Sequence, residues 1–362
     1  MDAELPDRSR PTKPAPGDAT DRFAQEMASL WRLPQAGSAT GNLVANLVHC
    51  ARLAANSHNS QPWRFRESDR GIDLMPDFSR RLPAVDPDDH HLYASLGCAA
   101  ENLCLAAYAL GRAPESSFDA ERITIALAPI VPQSTARFAA IAQRRTSRSA
   151  YDGSQLSAAA LTRLERAVHS SGVDCLMIAD RQRIDTVMEF ALAANTAQLR
   201  DRAFVAELRS WIRFNSAAAL DSGDGLASAC FGNPDLPTWL GRMAFPLLLR
   251  SAAENRRLAS HIRSASAIVV ISAHRDNPAG WFEAGRAAQR FQLEATVLGL
   301  QTAWINQPVE SQASRASFAR AIGLGGQRPD LVLRVGRGPQ LLHSARRPIT
   351  SILSYRAQRA HH

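Results

Sequence analysis

Two short stretches hold the residues best suited to chemistry. The first, from Asn56 to Phe65, reads NSHNSQPWRF, so Asn56, Ser57, His58, Asn59, Ser60 and Gln61 run directly into Pro62 and Trp63. Six consecutive side chains that donate or accept hydrogen bonds fit either a polar loop or a set of groups aimed at a flat heteroaromatic ligand. The second, from Arg144 to Arg148, reads RRTSR. At a helix end or in the turn after it, Arg144, Thr146 and Arg148 can point at one anion. Guanidinium groups give forked, charge-assisted bonds, and a threonine hydroxyl serves a remaining phosphate oxygen. A solvated arginine cluster is the plain alternative. Another basic pair, Arg346-Arg347, precedes Pro348 near the C-terminus. Neither GLGGQRP nor GRGP has the spacing of a P-loop or a dinucleotide fold, so a phosphate here would be held by side chains.

The elements that must position these stretches follow from periodicity. Thr40 can cap a helix whose apolar face is Leu43, Leu47, Cys50, Ala51 and Ala54. Trp63–Arg66 and IDLMPD flank the turn ESDRG and predict a hairpin. A long helix carries Leu92, Leu96, Ala99, Leu103, Ala107 and Leu110 and stops at Gly111. ITIALAP, from Ile123, reads as a strand. A helix from about residue 136 leads into the arginine cluster, followed by helix 158–169 and strand 174–179. Residues 184–263 read as mainly helical, interrupted near DSGDG and NPDLP. Strand 267–272, helices 281–299 and 311–322, strand 331–336 and an extended arm complete the chain. At a constant offset of 188, residues 97–111 and 285–299 share seven identities in fifteen positions, with Gly at both ends of the window. That pattern predicts a diverged internal duplication and a pair of closely packed helices.

Bulk properties narrow the classes. A chain of 362 residues, 45% hydrophobic and 21% charged, can bury a sizeable core. No apolar run reaches the roughly 20 residues of a membrane span. Residues 1–20 read as a disordered tail without the apolar core of a secretory signal, which makes a cytoplasmic location the expectation. Cys50, Cys98, Cys104, Cys175 and Cys230 form no C-x-x-C pair and read as reduced, buried thiols. Asp88-Asp89-His90-His91 resembles a ligand cluster, but neighbours in a loop seldom converge on one ion, and no metal is expected. The net charge of +8 is almost wholly arginine, Lys13 being the sole lysine, and no nucleic-acid motif accompanies it. A basic nucleic-acid binder is the weakest reading.

Taken together, S-x-N-x-Q-P-W-x-F, R-R-T-x-R, the G-x-A helix ending in L-G and the closing R-R-P resemble the FMN-dependent nitroreductase superfamily over most of residues 38–355. One half holds S-x-N-x-Q-P-W and the other the arginine cluster, the pattern of the Acg-like branch. The resemblance implies an α+β, nitroreductase-like mixed α/β fold, two diverged halves fused in one chain as a pseudo-dimer. The halves would span residues 21–135 and 136–362, the latter with a helical lid at about 184–263 and a C-terminal arm.

By the same resemblance, Arg144, Arg145, Thr146 and Arg148 are phosphate ligands, closed over by Arg346 or Arg347. Asn56, Ser57, His58, Asn59 and Gln61 face the isoalloxazine or ribityl groups, and Asn306 and Gln307 lie near flavin N5, without the acidic residue and glycine often found there. The implied function is ping-pong, NAD(P)H-dependent reduction of a small organic acceptor, with no side chain nominated as catalytic. A flavin-sequestering protein with little turnover is the alternative, and a dehydrogenase acting on a specialised substrate a third. The implied assembly is a monomeric pseudo-dimer or a weak homodimer.

Overall fold

The computed structural model describes residues 16–35, 42–119, 121–170, 172–249 and 251–356. Residues 16–20, expected in a disordered tail, instead open helix α1 (Pro16–Leu30). Phe23, Met27 and Trp31 recur at four-residue spacing and bury one stripe in the core, which holds the segment down. Thr40 lies outside the described residues. Helix α2 (Leu43–Arg52) is capped by Asn42, whose Oδ1 accepts from Val44 N at 2.8 Å and Ala45 N at 3.2 Å.

Strands β1 (Trp63–Glu67) and β2 (Gly71–Pro76) form the expected hairpin. Helix α3 (His90–Ala109) then leads to β3 (Arg112–Asp119) and β4 (Arg122–Pro129). Strand β3 escaped the sequence reading because it is a half-exposed edge strand rich in polar residues.

The second half comprises α4 (Ala136–Ala140), α5 (Ala158–Val168), β5 (Val173–Ile178), α6 (Arg181–Arg200), α7 (Arg202–Trp211), β6 (Ile212–Arg213), α8 (Ser216–Ser222), β7 (Leu226–Ala227), α9 (Thr238–Leu248) and α10 (Ser251–Arg263). There follow β8 (Ala267–Ala273), α11 (Pro278–Val297), β9 (Gln301–Trp304), α12 (Gln307–Glu310), α13 (Gln312–Ala321), β10 (Leu331–Gly336), α14 (Ile349–Ile352) and β11 (Leu353–Ser354).

Two main sheets result, ordered β11-β1-β2-β4-β3 and β5-β8-β10-β9. Strand β8 is buried along its whole length, as its continuous apolar run requires. Its side chains alternate: Val269 and Ile271 pack with Ala284, Ala288 and Phe291 of α11, while Ile268 and Val270 pack with Ile184 and Met188 of α6 and Ile262 of α10. Helices α6 and α10 therefore belong to the core of this half. The stretch of about 184–263, expected to form a lid, therefore divides: α6 and α10 pack into this core, and α7 reaches the other half through Phe204 against Leu82 and Val85.

Helices α3 and α11 pack against each other at the centre, as the repeat predicted. A Cβ on Gly97 would sit 2.0 Å from Phe282 O, and one on Gly285 would sit 1.9 Å from Ala94 O. The offset of 188 maps each of these contacts onto the other. It also relates the Gln289 Nε2–Asn102 Oδ1 bond (2.8 Å) to the Arg290–Glu101 ion pair (3.0 Å). Such reciprocity is the signature of a two-fold interface, here enclosed in one chain. The fold is a mixed α/β pseudo-dimer of two diverged halves. The C-terminal arm completes it by returning to the first sheet, where β11 lies parallel to β1 with Leu353 opposite Phe65.

Candidate functional site

The stretch from Asn56 to Gln61 is strained. His58, Asn59 and Gln61 have φ of 50°, 53° and 52°, left-handed conformations uncommon without glycine and costing on the order of 1–3 kcal/mol each. Its own polar side chains hold it there. Asn56 Oδ1 accepts from Gln61 N at 2.9 Å. Asn59 Nδ2 donates to Gly225 O and Ala345 O, and Gln61 Nε2 donates to Gly223 O at 2.9 Å. Gln61 Oε1 accepts from Arg347 N at 2.9 Å, and Arg346 donates to Asn59 Oδ1 at 2.9 Å. The polar run is thus a knot joining the first half to the 223–225 turn and the C-terminal arm.

The arginine cluster is fixed from the other side. Ser147 N donates to Thr302 O at 3.0 Å, and Arg334 donates to Ser147 O and Ser149 O while lying over Tyr151. This anchors the segment along the edge of β9 and turns Arg144, Arg145, Thr146 and Arg148 inward.

Two adjoining cavities result. The smaller, about 60 Å³, is walled by Arg144, Arg145, Thr146, Arg148, Arg346, Asn56 and Asn59, with no carboxylate among its lining residues. Trp31 forms its floor, with His343 stacked on it at 4.1 Å and the guanidiniums of Arg346 and Arg144 at 4.8 and 5.7 Å. The larger, about 280 Å³, is lined by Asn56, Ser57, His58, Arg148, Asn306 and Gln307, together with Phe204, Leu226 and Phe231 from the stretch between α7 and α9. Ala55, Asn56, Arg148, Leu226 and Phe231 border both.

Three residues that line this cleft carry unpaired polar groups. Among the described residues Arg148 has no hydrogen-bond acceptor, its guanidinium lying only over Phe231 at 4.7 Å. Burial pushes it down to about 10, still cationic at neutral pH. Arg144 donates to Leu53 O, but its Nε is unpartnered, as is Gln307 Oε1. Uncompensated guanidiniums beside unpaired polar atoms suit an anionic, hydrogen-bonding ligand.

Not every residue singled out from the sequence faces the cleft. Gln61 is fully buried and Arg347 pairs with Asp77, and neither lines either cavity. Arg346 lines the smaller cavity, yet it donates to the carbonyls of Arg52, Leu53 and Ala54, so most of its bonds serve the chain. Asn306 accepts from Val332 N at 2.8 Å.

Sequence reading missed Trp31, His343 and Phe231, whose ordinary core or arm settings carry no local signal. His90 and His91, read as loop neighbours, are on the first turn of α3. With Asp86 they bring candidate ligand atoms within 4.8 Å of one another. Asp86, however, accepts from His91 N and Leu92 N and faces His91 Nδ1 at 3.3 Å, while His90 Nε2 faces Asp330 at 3.1 Å. These are two imidazole–carboxylate pairs.

Residues 141–337 match the family model described as the nitroreductase family. The chain belongs to that family. It is an oxidoreductase of the nitroreductase type, and the resemblance drawn from its motifs stands, the Acg-like branch included. The Mycobacterium tuberculosis protein named "Putative NAD(P)H nitroreductase acg" is 26% identical over 335 residues, covering 88% of this chain and 97% of the relative. A second protein of that organism, also carrying an NAD(P)H nitroreductase name, is 28% identical over 306 residues, covering 82% and 85%. Among solved structures, a nitroreductase with bound FMN from Desulfitobacterium hafniense aligns with a TM-score of 0.40 at 13% identity, covering 62% of this chain and 100% of that one. A nitroreductase with bound FMN from Bacteroides fragilis aligns with a TM-score of 0.35 at 14% identity, covering 57% and 90%. Among the described residues no helix is long and apolar enough to cross a membrane.

Proposed function

We propose that the paired cavities hold one FMN and that the enzyme passes electrons from NAD(P)H to a small organic acceptor in two alternating half-reactions. The observation that carries this is the cleft itself, with guanidiniums and no carboxylate around its narrow end and a wider space at the other. In this reading Arg144, Arg145 and Thr146 take the phosphate. Arg148, on the border of both cavities, would hold a cation near the bound cofactor and so favour negative charge on it when reduced. Asn56, Ser57, His58 and Gln307 supply polar edges to the ring. Asn59, Gln61, Arg346 and Arg347 hold the binding loop in shape. Bound FMN supplies the two-electron chemistry; the chain orients it and excludes water.

The cover over the cleft favours a second reading, flavin sequestration with little turnover. Glu207 of α7 accepts from Ala84 N and Val85 N, both at 3.0 Å. Asp224 is paired with both Arg80 and Arg213. These bonds latch the lid onto the first half.

An absorption spectrum of purified protein, followed by anaerobic NADH or NADPH, separates the two. A flavin spectrum bleached within seconds is the expected result for a reductase. Flavin that only dithionite reduces supports sequestration, and a chain that takes up no FMN removes both readings.

A further inference from the structure

Next to the 56–61 stretch, where Ser57 N donates to Ser95 Oγ at 3.4 Å, the larger cavity has a polar wall to which the proposed flavin contacts assign no role. His91 and Ser95 of α3, Asn195 and Gln198 of α6 and Glu310 of α12 all line it. His91 is 5% exposed. Its Nδ1 is directed at Asp86 Oδ1 at 3.3 Å, and its Nε2 is buried with no hydrogen-bond partner. Asp86 is itself immobilised, accepting from His91 N and Leu92 N at 2.9 Å each. Ser95 Oγ donates to His91 O at 2.7 Å, and Gln198 Nε2 donates to Glu310 at 2.7 Å. The arrangement is that of an imidazole oriented by a carboxylate on the wall of a cavity, with its other nitrogen buried and unpaired.

Ser95, Asn195, Gln198 and His58 are poor competitors for a proton-donating role, and burial pushes the Cys98 thiol up to about 12. Serine hydroxyls and amides are not acids near neutral pH. His58 is pushed down to about 4 by burial and by the charges of Arg148 and His91, and so is neutral. For His91 burial acts downward, but the contact with Asp86 outweighs it, aided by the charges of Glu310 and Asp88. His91 therefore stays protonated above the ordinary 6.5. Burial raises Glu310, which leaves it a reservoir next to His91. His90 opposes the charge on His91 but is turned to Asp330.

We propose that His91, oriented by Asp86, donates a proton from Nε2 to the acceptor bound in this cavity. The acceptor class is a two-electron oxidant reduced at oxygen, such as a quinone. A reduced flavin held in the site would supply two electrons and one hydrogen as a hydride equivalent. The second hydrogen comes from His91: the Nε2–H bond breaks, an O–H bond forms, and the neutral imidazole is reprotonated through Glu310 or solvent. This deepens the reading of the cleft as a flavin site and rests on it.

The test uses the full chain loaded with FMN and reduced anaerobically with dithionite, so that competence with NAD(P)H is not required. Flavin reoxidation is followed by stopped flow with benzoquinone, which needs a proton, and with ferricyanide, which does not. With the parent, the benzoquinone rate should fall as pH rises through the His91 titration above 6.5, while the ferricyanide rate stays flat. His91→Asn should slow benzoquinone on the order of a hundredfold and erase its pH profile. NMR titration of the imidazole in flavin-free protein gives a readout independent of turnover: His91 should titrate above 6.5, and Asp86→Asn, which keeps an acceptor for the α3 amides, should lower it. A His91→Asn profile like the parent's, or His91 titrating below 6.5, overturns the proposal alone. A chain that takes up no FMN overturns the flavin reading and this proposal together.

Discussion

Arg148 is the side chain most dependent on a ligand for its partners, because nothing among the described residues accepts from it. A charge-assisted bond contributes about 1.5–3 kcal/mol, so Arg148→Ala should weaken FMN binding by roughly 10- to 150-fold. Arg122→Ala, at the exposed first residue of β4, should leave it unchanged. Titrating both variants with FMN by fluorescence quenching checks this, and equal affinity for Arg148→Ala and the parent would remove Arg148 from the site. His343 carries a pH prediction. Its Nε2 accepts from Arg145 Nε at 3.1 Å, and burial with the charges of Arg145, Arg144 and Arg346 holds it far below 6.5. The folded chain then binds fewer protons at this position than the unfolded chain once pH drops below about 6.5, so this contribution is present at neutral pH and lost on acidification. Relative to His343→Gln, the parent should lose up to about 1.4 kcal/mol per pH unit below that point. Urea denaturation at pH 7, 6 and 5 measures the difference.

At the level of elements, α3 and α11 decide whether the two halves form one body. Alanine in an exposed helix would be favoured over glycine by roughly 1 kcal/mol. At Gly285 the sign reverses, because the new methyl would meet the carbonyl oxygen of Ala94 at 1.9 Å. Overpacking of this kind costs about 1–3 kcal/mol, and here the obstacle is backbone that cannot rotate away. Gly285→Ala should therefore lower the thermal midpoint by several degrees or abolish soluble expression. A variant as stable as the parent would mean that the two helices stand further apart. Gly97→Ala should behave alike, since the pseudo-two-fold places it against Phe282 O.

At the scale of the whole molecule, the chain carries one S-x-N-x-Q-P-W and one R-R-T-x-R, and both border the same cleft. On the proposed reading this predicts one complete site per chain, built without a second copy. Native mass spectrometry should find monomers carrying a single FMN, and dilution should not release it. Two flavins on one monomer, or bare monomers beside loaded dimers, would contradict this count. The arm reinforces the expectation, because it leaves the second sheet, ties down the binding loop through Arg346 and Arg347, and pairs with β1 of the first sheet.

The motifs, the repeated helix and most strands were legible in the sequence because each rests on local chemistry or on a period that the chain states directly. Alternation in β1, the unbroken apolar run of β8 and the small residues of α3 and α11 need no distant partner to be recognised. Tertiary structure alone decided how the polar residues divide their work. Asn59 and Gln61 look like ligand-facing groups in isolation, yet the 223–225 turn and the arm, more than 160 residues away, take their hydrogen bonds. His91 looks like one member of a loop cluster, yet the first turn of α3 places it on the wall of a cavity to which α6 and α12 also contribute. The physical reason is the same in each case: a polar side chain has several possible partners, and only packing of distant segments determines which one it meets and which nitrogen or oxygen is left free.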